Sequence, residues 1–154
     1  MKTIRLALAL LAVAFLATAC SQSHDHDKKS AGTGHVHTAP HGGTLVEIGE
    51  HAYNLELVRD NAAGKLTAYV LDGHAENFVR IAAPTFQLIA MPGGHYTPLI
   101  MKAVANAATD ETVGDTSQFE VQAEWLKTAG DFSGIFTLEI KGTRYHQVAY
   151  SLPE

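Results

Sequence analysis

The sequence predicts an all-β domain, an antiparallel β-sandwich of Ig-like architecture with eight or nine short strands, behind a disordered N-terminal tail. Three observations carry this expectation. From His41 onward, apolar and polar residues alternate with period two. Clusters of turn-forming residues interrupt that alternation at short intervals. No segment holds the 3.6-residue apolar period of a long helix. The 154 residues, 46% apolar and 18% charged, suffice for one core of ordinary size.

The clearest strand is Gln118–Leu126, where Phe119, Val121, Ala123 and Trp125 alternate with Gln118, Glu120, Gln122 and Glu124. In Ala52–Asp60, Tyr53, Leu55 and Leu57 oppose Asn54 and Glu56. Thr44–Ile48, Lys65–Leu71, Phe78–Ile81, Thr85–Met91, Tyr96–Val104, Ile135–Lys141 and Arg144–Leu152 complete the set. Asp60–Gly64, Asp72-Gly73, Pro92-Gly93-Gly94 and Lys141-Gly142-Thr143 supply turns. Asn106–Gly114 reads as a loop, because Thr, Asp and Gly disfavour a helix there. The Cys…Trp…Cys signature of immunoglobulin domains is absent, so Ig-like describes architecture only. A small barrel is the alternative, since alternation says nothing about closure.

The chain ahead of this domain has a different composition. Lys2 and Arg5 precede an uncharged apolar run, Leu6–Leu16, and then small residues up to Cys20. A basic start, a short apolar stretch and a small-residue exit make a secretory signal over residues 1–19. The run is too short to span a bilayer, which takes about 20 apolar residues. The segment LATAC resembles the lipobox of bacterial lipoproteins. That resemblance implies cleavage before Cys20 and lipid attachment to it. With Ser21 next, it implies the periplasmic face of the outer membrane rather than the inner. Cleavage would lower the basic count from 11 to 9 against 16 acidic residues, taking the formal charge from −5 to −7. Lipid, not basic side chains, would then hold the protein at the bacterial membrane. The acidic balance excludes nucleic acid as an expected partner. Residues 20–40, poor in large apolar side chains, form the expected disordered tether, and 41–154 the domain.

Nine His in one chain is the compositional outlier, and five of them, His24, His26, His35, His37 and His41, fall within 18 residues. Neutral imidazole is the commonest protein ligand for zinc and copper. These five are the expected metal ligands, with a zinc or copper ion as cofactor. His51, His74 and His95 fall in turns and are further candidate ligands. Met91 and Met101 read as core packing rather than copper ligands. His146 shares strand parity with Val148, Tyr150 and Leu152 and reads as a boundary residue.

The run of HGG, a strand, GEHAYNLELV and KLTAYVLD, within Pro40–Ile81, resembles the N-terminal metal-associated module of heavy-metal efflux periplasmic adaptors, the membrane-fusion subunits of cation pumps. It is still more similar to small bacterial lipoproteins built from that module alone. His41, Gly42 and Gly43 match the HGG pattern, and His51 and His74 fall at turns of the same module. The helical hairpin and lipoyl parts of an adaptor are missing. The resemblance implies metal handling in the envelope, with a metal-efflux system as partner.

No catalytic reading emerges. The chain lacks a GxSxG elbow, an HExxH pair and a Gly-rich phosphate loop opening a helix. Carboxylates scattered along the wet faces of strands read as solubilising. The expectation is a non-enzymatic, lipid-anchored metal-binding protein for metal homeostasis or resistance. The alternative is an envelope interaction module that binds a protein or glycan, with the tail as a spacer.

Overall fold

The computed structural model describes residues 37–154. The expected secretory signal and most of the expected tether, with Cys20, His24, His26 and His35, lie outside the described residues. Eight strands form: β1 (Thr44–Ile48), β2 (Tyr53–Asp60), β3 (Lys65–Asp72), β4 (Thr85–Ala90), β5 (Thr97–Ala103), β6 (Gln118–Gln122), β7 (Phe132–Ile140) and β8 (Thr143–Leu152). All pairings are antiparallel, so the all-β expectation holds.

The layering differs from two stacked sheets. All eight strands belong to one sheet, in the order β1-β2-β3-β6-β5-β4-β7-β8. The sheet curls until β1 and β8 lie side by side, giving a nearly closed, barrel-like wall. Tyr145 of β8 bridges the seam, its ring against Gly49 and 6.1 Å from the ring of Tyr53. One apolar face per strand is enough for this arrangement, because the inward residues meet across the interior. Leu55 faces Val70, and Leu57 and Phe119 each face Ala68 across the ladders, all buried. Phe86 packs edge-to-face on Phe119 at 5.1 Å, beside the fully buried Met101. The expectation that Met101 serves the core therefore holds.

Three local expectations are corrected. The strand expected through Leu126 ends at Gln122, and Glu124–Lys127 forms a 3-10 turn. Trp125 and Leu126 are consecutive, and both pack against the core. A strand cannot turn two neighbours to one face, whereas a tight helical turn can. Arg59 secures this turn, its guanidinium donating to the carbonyls of Leu126, Ala129 and Gly130. Phe78–Ile81 keeps its alternation but is no continuous strand. Phe78 bridges to Leu71 and Ile81 bridges to Thr116, so its two ends pair with different segments. In β8 a bulge places Val148 opposite Phe136 but Tyr145 opposite Leu138. The extra residue, with Gln147 at φ +49°, resets the alternation and leaves His146 exposed rather than on the apolar face.

Candidate functional site

The outer face of β2 and β3 carries the most unusual polar group in the domain. Leu55 and Leu57 point into the barrel, so Glu56 between them points out. Its side chain is nevertheless 0% exposed. The chain ahead of β1 covers it. Gly42 donates its N–H to the carbonyl of Ala39, closing a turn that lays residues 41–43 along β2. Glu56 Oε1 accepts the backbone N–H of His41 at 2.8 Å and of Gly43 at 3.0 Å. Oε2 pairs with His41 Nδ1 at 2.8 Å. Gly43 is required for this approach, because a Cβ there would lie 2.5 Å from the Leu57 carbonyl oxygen.

The geometry fixes the imidazole. With Glu56 as a carboxylate, an acceptor at both oxygens, Nδ1 of His41 carries the hydrogen. In the neutral ring Nε2 then keeps its lone pair. The ring lies flat on Tyr69, the cross-strand neighbour of Glu56, with centroids 3.8 Å apart and planes inclined by 12°. Phe78, 51% exposed, flanks it at 5.7 Å. Burial raises the Tyr69 phenol above its ordinary range; the charges of Glu120 and Glu56 add to the rise while Lys65 opposes it. A neutral Tyr69 is the form suited to stacking on imidazole.

His37, the first described residue, meets His74 with ring centroids 5.8 Å apart and planes at 65°. His74 sits in the loop after β3, which Asp72 organises by accepting from the Glu76 backbone N–H at 2.9 Å and from Asn77 Nδ2 at 2.7 Å. The Asn77 hydrogen bond leads the causes that hold the Asp72 carboxyl below its usual range.

No family model, characterised protein or solved structure matches the chain.

Of the sequence-predicted ligands within the described residues, His41 lies against the outer face of β2 and β3, and His37 meets His74 in the loop after β3. His51 is exposed in the β1–β2 turn, its ring Nδ1 3.1 Å from the Glu47 carboxylate. Its carbonyl packs against Gly73, so its turn abuts the His74 loop. His95 is exposed after the 3-10 turn Pro92–Gly94 between β4 and β5, with β6 standing between those strands and β3. Among the described residues, no three or more His, Cys, Asp or Glu converge as a metal shell. Sequence reasoning missed Glu56, Tyr69 and Phe78. In the strand pattern Glu56 is indistinguishable from Glu120, and only the small pair Gly42-Gly43 beside His41 hints that backbone could cover it.

A cleft of about 810 Å³ opens elsewhere, with Phe86, Ile100 and Leu138 on its walls and Arg80, Lys141 and Arg144 among its polar residues.

Proposed function

We propose that this is a lipid-anchored metal-binding protein of the bacterial envelope, which captures zinc or copper and presents it, and that it is not an enzyme. One observation carries the reading. His41 pairs through Nδ1 with a fully buried carboxylate, which leaves Nε2 as the ring nitrogen not held by Glu56. Metal-ligating imidazoles have this arrangement, in which a carboxylate fixes tautomer and ring orientation and raises ligand basicity. The His-rich segment ahead of His41 supplies further imidazoles: His24, His26, His35 and His37. The lipobox resemblance supports the anchor at Cys20, and the HGG resemblance supports a metal-efflux system as partner. The chemistry is coordination. Ligand imidazoles must be unprotonated, so capture weakens as pH falls through the ordinary imidazole range near about 6.5.

The test is calorimetric titration of zinc and of copper(II) into residues 21–154, beside a chain with His24, His26, His35, His37 and His41 all changed to Ala. The expected result is binding at neutral pH that the five substitutions remove. Equal binding by both chains would sink the assignment.

A second reading, an interaction module for a protein or glycan, draws support from the 810 Å³ cleft, a size typical of ligand sites. Envelope partners retained by the five-His variant in the presence of chelator would favour it.

A further inference from the structure

Resting on the metal-binding reading, we propose that His37 and His74 are the first two ligands of a divalent-metal site that fastens the N-terminal arm to the loop after β3. The ring geometry suits a shared ion. With Zn–N bonds of about 2.0–2.1 Å, two imidazoles on one tetrahedral zinc have centroids about 5 Å apart, rising toward about 6 Å as the N–metal–N angle opens. The His37 and His74 centroids are 5.8 Å apart, with planes at 65°. Among the described residues neither ring is engaged in a hydrogen bond.

Both ligands start from anchored backbone. The His74 loop is tied at several points. Asp72 accepts from the Glu76 backbone N–H and exchanges hydrogen bonds with Asn77, and Ala75 N–H donates to the Asp72 carbonyl. Asn54 Nδ2 donates to the carbonyls of Asp72 and Gly73 at 3.1 and 3.0 Å. Gly73 also lies so close to the His51 carbonyl that a Cβ there would collide with it. His37 stands four residues before His41, which Glu56 latches to the barrel wall through backbone and ring. His37 therefore already lies beside His74, and little additional ordering is needed for the two rings to close on an ion. A two-imidazole site needs completion, which water can supply.

The experiment uses residues 21–154, in which Cys20 is absent, with ZnCl2 as probe. Calorimetry gives zinc affinity for the parent chain and for the His37→Ala, His74→Ala and His95→Ala variants. Nitroxide labels on Ser30→Cys and Glu76→Cys report the arm-to-loop distance by pulsed electron resonance. Zinc should narrow that distance distribution in the parent. His37→Ala and His74→Ala should each abolish the narrowing and weaken the tightest zinc site by at least about tenfold, since even outer-shell partners of a metal cost 10–100-fold. His95→Ala should change neither readout. If His74→Ala keeps parental affinity and narrowing, the arm alone holds the ion: the clamp is refuted and the metal-binding reading stands. If the parent binds no zinc, both fail. An equal loss in His95→Ala would also overturn the clamp.

Discussion

Glu56→Gln separates the orienting role of the carboxylate from its role in stability. Gln is nearly isosteric with Glu, and its single carbonyl oxygen can still accept the His41 and Gly43 backbone N–H groups, which share Oε1 in the parent. That orientation turns the amide NH2 toward His41 Nδ1. Two donors cannot face each other, so the imidazole must move its hydrogen to Nε2 and accept at Nδ1. The opposite amide flip would set the NH2 against two backbone donors and is worse. The substitution converts three charge-assisted hydrogen bonds into neutral ones of roughly half the strength, a loss of about 1–2 kcal/mol. Glu56→Ala removes all three acceptors. Hydrogen bonds to charged groups contribute about 1.5–3 kcal/mol each, and residues 41–43 can regain water on the surface, so the net loss is about 3 kcal/mol. At about 4 °C per kcal/mol for a domain of this size, Tm falls by about 4–8 °C in the Gln variant and by about 12 °C in the Ala variant. The assay is thermal unfolding together with long-range proton–nitrogen correlation spectra of the imidazoles. The parent His41 should show hydrogen on Nδ1, and the Gln variant hydrogen on Nε2 with loss of metal ligation there. An unchanged tautomer and unchanged Tm in Glu56→Gln would refute the account of Glu56 as the group that orients His41.

Three other outcomes are expected. Burial alone would raise Glu111, but hydrogen bonds from the Ser117 hydroxyl and backbone and from Thr109, with the Arg80 charge, bring its carboxyl below the ordinary value. Because the folded value is the lower one, its contribution is complete above the unfolded value of about 4.3 and disappears as pH falls through the folded value. Tm measured from pH 6 to pH 2 should therefore fall less steeply in Glu111→Gln than in the parent. Gly134→Ala should destabilise by about 3 kcal/mol in urea unfolding, because a Cβ there would collide with the Ile89 carbonyl and the Tyr150 ring. Cys20→Ala should abolish incorporation of labelled fatty acid and release the protein from membranes; persistent labelling would contradict the anchor.

The strands were largely legible because each needs only a local signal, alternation on a half-buried wall, and β2 through β5 fall close to their expected limits. Departures came where two neighbours share one face, as at Trp125-Leu126, or where an extra residue resets parity, as at Gln147. The candidate site was half legible. The His cluster stands out by composition, whereas Glu56 looks like any solvent-facing carboxylate until the chain ahead of β1 folds over it.

By itself the sequence determined the all-β class, most strand positions and a concentration of imidazole near the start of the domain. These follow from residue types and spacings along the chain. Only the tertiary structure decided that the eight strands form one curled sheet, since closure depends on which edges meet and not on alternation within a strand. It also decided which imidazoles are held. Glu56 is 15 residues from His41 and 13 from Gly43, and that pairing exists only because Gly43 lets the backbone lie against β2.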